Sequence, residues 1–262
     1  MLRMLKVVDR ICKKHNLNYW IDTGTLLGAV RHEGFIPWDD DLDIGMPRKD
    51  YERFIEILED ELPDDIHFQM KGSVNNCKWR WIKLRDKYST LVQRSELGRN
   101  VDYHQGIFID IFPYDLVRKD FIWPKLILNR RFKFAPNKWV RKFYPFFNIL
   151  SLVPVKLFGY NRMKKWIINS YSKGKENKVA TGLDITLMFF CFDSDAVFPL
   201  KRIKFEDGEF SCPNNCHAYL TQMYGDYMQV PPEKERVVHA AKILPFTRCN
   251  HPDTLTYQPL NA

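Results

Sequence analysis

Nowhere in the 262 residues is there an uncharged apolar run of the roughly 18–20 residues that a membrane-spanning helix needs. The nearest approach, "FYPFFNILSLVPVKLFGY" (143–160), holds two prolines and a lysine and is flanked by basic residues. No spanning helix is expected; the segment reads as a buried helical hairpin or as one lying in a membrane interface. There is no Asn-x-Ser/Thr acceptor, and the opening "MLRMLKVVDRICKKHN" is charged throughout, unlike a secretory signal. Cys12, Cys77, Cys191, Cys212, Cys216 and Cys249 are scattered, so no disulfide framework is expected and free thiols in a cytoplasmic, reducing setting are. Cys212, Cys216, His217 and His239 offer four zinc-type ligands, but CxxxC is not the usual CxxC knuckle. Repeats, low-complexity tracts and nucleic-acid-binding motifs are also missing, so no specific nucleic-acid partner is expected.

What is present is a folded chain: 45% hydrophobic and 15% aromatic residues exclude disorder. Its length suits one large domain, or a core with an added lobe. The net charge of +8 is unevenly placed, because residues 118–178 hold sixteen Lys/Arg against two acids. A basic module is attached to an acidic one, and the basic part suits a polyanion, whether nucleic acid, anionic lipid or anionic glycan.

Hydrophobic spacing predicts a helix from Leu2 to His15, a buried strand in "LNYWID", and a helix entered through Gly24 in "TGTLLGAVRHE". "DLDIGM" alternates as a strand, and Pro47 opens a helix at "RKDYERFIEILEDEL". "HFQM", "WRWIKLRDKYSTLV" and "GIFIDIFPYD" read as strands, so the expected class is mixed α/β. The expected organisation is a catalytic core over 1–117, a basic, aromatic-rich helical segment over 118–180, and a part completing the core over 181–262.

The chemistry concentrates in "IDTGTLLGAVRHEGFIPWDDDLDIGM" (21–46). If its strand reaches back far enough, Asp39, Asp41 and Asp43 share one face, with Leu42 and Ile44 toward the core. Clustered carboxylates repel one another, and a hard, oxygen-seeking cation such as Mg²⁺ (or Mn²⁺) relieves the repulsion. Gly24 and Thr25, at a helix start, suit a phosphate. Asp110, the one charge inside "IFIDIF", is a third carboxylate that needs a partner.

These motifs resemble the LicD family, which also contains fukutin and fukutin-related protein. The resemblance continues through "IKLRDKYSTL", "GIFIDIFPYD", "FEDGEFSCPNN" and "YLTQMYGDYMQVPPEKER", nearly the whole chain, and is loosest in the basic middle. It implies a nucleotidyltransferase-like fold with a basic helical insertion. It also implies Mg²⁺-dependent transfer of phosphocholine, or a related polyol or amino-alcohol phosphate, from a CDP-linked donor, CDP-choline by default. The acceptor would be a cell-surface or lipid-linked glycan, such as lipopolysaccharide, teichoic acid or capsule. Asp41 and Asp43 match the metal-binding pair, Asp39 an additional acid and Asp110 the third carboxylate. The same cradle serves true nucleotidyl transfer, and a catalytically silent membrane-surface protein is the alternative from another class.

Around this centre, Lys83 and Arg85 share a strand face and are candidates for phosphate, as is Arg31, two turns into the helix. A choline headgroup favours aromatic walls, for which Trp38 leads among Trp20, Trp38, Trp79, Trp81, Tyr88, Tyr103 and Tyr114. His239, with Arg236 in "PPEKERVVHA", is the remaining substrate-binding candidate, and Glu206–Asp207 is expected to be a turn. The basic segment 118–178 is expected to touch a membrane peripherally.

Overall fold

A computed structural model of the chain describes residues 1–246, apart from 74–76, 78, 100, 120–121, 173–176 and 187. The apolar stripe of Leu5, Val8, Ile11 and Cys12 forms α1 (Leu2–His15), which ends at Asn16 in the left-handed conformation. After β1 (Trp20–Ile21) come α2 (Thr23–His32), β2 (Asp43–Pro47) and α3 (Arg48–Glu61). Then follow β3 (Ile66–Gln69), β4 (Ile82–Asp86), β5 (Thr90–Gln93) and the long β6 (Phe108–Val117). Strand β6 is the organiser: β2 runs parallel on one side, β4 antiparallel on the other, and the sheet order is β1-β2-β6-β4-β3.

The basic segment is helical: α4 (Ile122–Asn129), α5 (Lys138–Lys142), α6 (Tyr144–Leu150), α7 (Leu152–Phe158) and α8 (Tyr160–Tyr171). The chain rejoins the sheet at β7 (Lys178–Thr181), which pairs with the far half of β6 and with β8 (Cys191–Asp193). The sheet therefore resumes at 178, inside the segment expected to be helical to 180. Beyond α9 (Ser194–Val197), a hairpin of β9 (Lys201–Phe205) and β10 (Gly208–Cys212) turns at Glu206–Asp207, with Glu206 at φ 57°. Next come α10 (Cys216–Tyr224), capped by the Asn215 side chain, and β11 (Ala240–Leu244), which pairs with β5.

One core fills the space between α1, α3, the sheet and α10, and includes Leu42 and Ile44 as expected. Arg48, at the start of α3, reaches Asp115 on β6 at 2.7 Å and Asp184 beyond β7 at 2.6 Å. This buried triad fixes α3 to the sheet beside the basic lobe, where Lys164 of α8 adds a contact to Asp184 at 3.3 Å.

Candidate active site

Strand β2 begins at Asp43, so Asp39 and Asp41 precede it in an irregular stretch rather than sharing its pleat. The reason is local: the Pro37–Trp38 turn is closed by the Asp39 amide donating to the Ile36 carbonyl at 2.9 Å. What brings the acids together is the sheet. Asp43 on β2 pairs in register with Asp110 on β6, which pairs with Lys83 on β4. Cross-strand partners share a face, so Asp43, Asp110 and Lys83 stand in a row.

Helix α2 supplies the opposite wall. It starts at Thr23, one turn-position earlier than Gly24 suggested, because Asp22 caps it by accepting from the Thr23 amide. Asp22 is fully buried and also accepts from Tyr114 Oη at 2.6 Å and Tyr219 Oη at 2.8 Å. Thr23 adopts φ 42°, a strained value for a β-branched residue, and its hydroxyl donates to Asp43. The Asp43 amide in turn donates to Thr25 Oγ1 at 2.8 Å. A Cβ at Gly24 would lie 2.6 Å from Asp39 Oδ2, so any larger residue there would make that carboxylate shift. Gly24 and Thr25 thus lie against the acids.

The electrostatics are those of crowded carboxylates. Burial, then the charges of Asp39 and Asp110, push Asp41 up to about 7, against the pull of His239. Burial, Asp41 and Asp110 raise Asp43 well above the usual range. Burial also raises Asp39, which shares a hydrogen bond with Asp41. Among the described residues, the ion-pair partners of these four acids are Lys83, 2.7 Å from Asp110, and His239, 3.6 Å from Asp41. Asp110 Oδ2 accepts from Lys83; Oδ1 lies equally near Nζ but receives no well-directed hydrogen bond, leaving one buried acceptor unused.

An all-oxygen set of this kind suits a hard divalent cation. As they stand, no three His, Cys, Asp or Glu side chains among the described residues are arranged to hold a metal ion. The reason is visible in their present partners: Asp39 holds Asp41, Asp43 holds Thr23, and Asp110 holds Lys83. A cation held by these acids would exchange these bonds for oxygen–metal ones.

Several expected contacts are relocated. Arg85 lies wholly inside, donating to Gln69 Oε1 at 2.7 Å and the Gly106 carbonyl at 2.9 Å, so it does not face a phosphate. Lys83 is equally buried and is committed to Asp110, its ammonium 3.5 Å over the Phe108 ring. Arg31 donates to the Tyr227 carbonyl at 3.0 Å. The Arg236 guanidinium stands 4.1 Å over Trp38, so that face of the ring is not open to a choline group. Trp20 and Tyr114 are core residues, 4.9 Å apart, and Trp81 and Tyr103 are also buried. His217 bonds Tyr227 at 3.1 Å while His239 sits at Asp41, so the four zinc-type candidates are not brought together. Cys249 lies outside the described residues.

Sequence reasoning missed four contributors. Asp40 accepts from the His239 amide at 3.0 Å and from the Ala240 amide, tying the C-terminal strand over the acids. Thr23 and Asp22 adjoin the recognised motif, and a cap signal before Gly24 points to Asp22. Tyr224, at the end of α10, is 44% exposed, yet its hydroxyl is raised by burial of the group and by the charges of Asp43, Asp22, Asp39 and Asp41; no sequence signal singles it out.

A model of the LicD/FKTN/FKRP nucleotidyltransferase domain matches residues 16–156. The chain is 28% identical over 251 residues to the lipopolysaccharide cholinephosphotransferase LicD of Haemophilus influenzae, covering 91% of this chain and 92% of that protein. It is 48% identical over 165 residues to the uncharacterized protein RP689 of Rickettsia prowazekii, covering 62% of this chain and 47% of that one. Over 53 residues it is 50% identical to the human ribitol 5-phosphate transferase FKRP, 19% of this chain and 11% of that protein. With more than half its length matched by the family model and the acid cluster held in a mixed α/β sheet, the chain belongs to the LicD/FKTN/FKRP family and carries its nucleotidyltransferase-like domain.

Proposed function

We propose that this chain is a divalent-cation-dependent phosphotransferase moving phosphocholine, or a related polyol or amino-alcohol phosphate, from a CDP-linked donor to a hydroxyl of a surface or lipid-linked glycan. Transfer of a substituted phosphate group is supported by the family and by the named activities of the Haemophilus and human relatives. The observation that carries the reading is the set Asp39, Asp41, Asp43 and Asp110 packed at the start of α2 with only Lys83 and His239 as ion-pair partners among the described residues.

Asp41, Asp43 and Asp110, with Asp39 beside them, would hold Mg²⁺ or Mn²⁺, which supplies charge neutralisation at the diphosphate. Gly24 and Thr25, at the α2 start, leave room for a donor phosphate. In the reaction the acceptor oxygen bonds the phosphorus that carries choline, and the bond from that phosphorus to the CMP oxygen breaks. CMP leaves with the bonding pair, and the acceptor proton passes to a carboxylate of the cluster. Lys83, paired with Asp110 at 2.7 Å, fixes it in its row. His239 and Asp40 hold the C-terminal strand across the site. Localisation at the inner face of the cytoplasmic membrane fits a lipid-linked acceptor.

The test supplies CDP-choline, CDP-ethanolamine, CDP-glycerol and CDP-ribitol to the purified protein with a glycan acceptor, with Mg²⁺ and with EDTA. Metal-dependent CMP release from one donor, lost in Asp41→Ala, is the expected result. Pyrophosphate release from a nucleoside triphosphate would assign nucleotidyl transfer instead. No CMP from any donor, with a folded sample, would overturn the reading.

A further inference from the structure

Helices α5, α6 and α7 bury no side chain, unlike every other α-helix among the described residues. They are five, seven and seven residues long, well short of the roughly 12–15 residues at which an isolated helix becomes even marginal in water. Helices this short persist by packing an apolar face against something. Their inner attachment is through a few partly buried side chains: Val140 and Phe147 against the cluster of Leu126, Phe132 and Ala135, with Phe147 5.6 Å from Phe132, and Val155 against Val117 and Leu128. Outward, Phe146, Ile149, Leu150, Val153, Leu157 and Phe158 are all exposed, Leu157 by 72% and Ile149 by 67%. Trp139, Tyr144 and Trp166 are exposed around them, the residue types that settle at a membrane–water boundary.

The charge of this lobe is of one sign. Residues 122–172 contain eleven Lys/Arg and no Asp or Glu. Lys138, Arg141, Lys142 and Lys156 lie on the three helices themselves and have no acidic partner among the described residues. A second copy of the chain on the same face would bring like charges together around the apolar centre, which opposes self-association. An anionic bilayer surface offers both complements, headgroups for the cations and an acyl boundary for the protruding apolar side chains.

We propose that α5–α7 form a docking lobe that lies in the interface of an anionic phospholipid surface, with Phe146, Ile149, Leu150, Val153, Leu157 and Phe158 at the acyl boundary and the basic side chains among the headgroups. The lobe is tied to the sheet through α4 and α8. Lys125 donates to the Thr181 carbonyl at 3.1 Å and the Met188 carbonyl at 2.6 Å, and Ile167 packs with Val117 and Leu128. The inference is independent of the chemistry at the aspartates.

The test is co-sedimentation of the full chain with vesicles of phosphatidylcholine alone and of phosphatidylcholine mixed with phosphatidylglycerol. Binding to the mixed vesicles, at least about tenfold weaker on phosphatidylcholine alone and weakened by salt, is expected. Ile149→Asp with Leu157→Asp should lower partitioning to the mixed vesicles about tenfold or more. Lys138→Gln with Arg141→Gln and Lys142→Gln should remove most of the preference for the anionic lipid. All five sites lie on helices with no buried side chain, so both variants should melt like the parent by circular dichroism. Absence of binding by the parent at low salt would overturn the proposal. So would binding by the aspartate variant equal to that of the parent. A parent dimer in light scattering that the aspartate variant dissolves would assign the face to a second copy instead.

Discussion

Replacing Asp41 by asparagine should make the cation-free protein more stable at high pH while removing its activity. In the fold Asp41 is pushed up to about 7 by burial and by Asp39 and Asp110, from an ordinary carboxylate value of 3.8. A raised folded value means that the unfolded chain gives up this proton first. Stability is therefore unaffected below about pH 4 and falls as pH rises from there to about 7, after which the loss is complete. At 1.36 kcal/mol per pH unit, a single isolated group would cost about 4 kcal/mol. Asp39 and Asp43 share the same charge, so about 2–4 kcal/mol is the realistic range. Asparagine is nearly isosteric, cannot ionise, and keeps an N–H to donate to Asp39. In a chain of this size each kcal/mol moves the midpoint by roughly 2–4 °C. Thermal unfolding in EDTA should show Asp41→Asn about 4–16 °C above the parent at pH 8.5 and nearly level with it at about pH 3.5. Mg²⁺ should raise the parent's midpoint at pH 8.5 and raise the variant's much less, because the cation replaces the missing proton. Equal midpoints at both pH values would refute the account of the cluster as repulsion relieved by a cation.

Gly24→Ala puts a Cβ 2.6 Å from Asp39 Oδ2, so Asp39 has to turn away while the helix itself is favoured. Activity should fall tenfold or more with no loss in melting temperature, and a large loss of stability would instead mark Gly24 as a packing residue. Arg48→Ala leaves Asp115 buried without its cation and Asp184 with Lys164 alone at 3.3 Å, and should cost about 3–5 kcal/mol in urea unfolding. Arg48 holds Asp184 down to about 2, so this pair stabilises fully above about pH 4 and its share, about 2 kcal/mol, is lost as pH falls through 2. The variant should therefore show a flatter acid-unfolding profile than the parent, and an unchanged profile would argue against the assignment.

Much of the site could be read from the chain because its signals are local. Gly24 marks a helix start, while Asp41 and Asp43 at alternating positions and Asp110 inside an apolar strand carry a cost of burial unless something compensates. Lys83 and Arg85 show where that reading stops. Alternation placed both on one strand face, but whether that face meets solvent depends on neighbouring strands, and here Phe108 and the Trp79 ring cover Lys83. Trp38 shows the same: its neighbours in sequence say nothing of Arg236, two hundred positions away, which stacks on it.

The mixed α/β class, the helix and strand order around the acids, the basic lobe and the carboxylates as the candidate chemical centre were legible in the chain alone. These follow from periodicity, composition and the cost of burying charge, all of which act over a few residues. Which groups meet was set by how the elements pack. Parallel pairing of β2 with β6 aligned Asp43 with Asp110, antiparallel pairing of β4 set Lys83 beside them, and Asp40 drew the strand of His239 and Ala240 across the site. Strand register and long-range hydrogen bonds arise from how whole elements pack, and no window of a few residues contains that information.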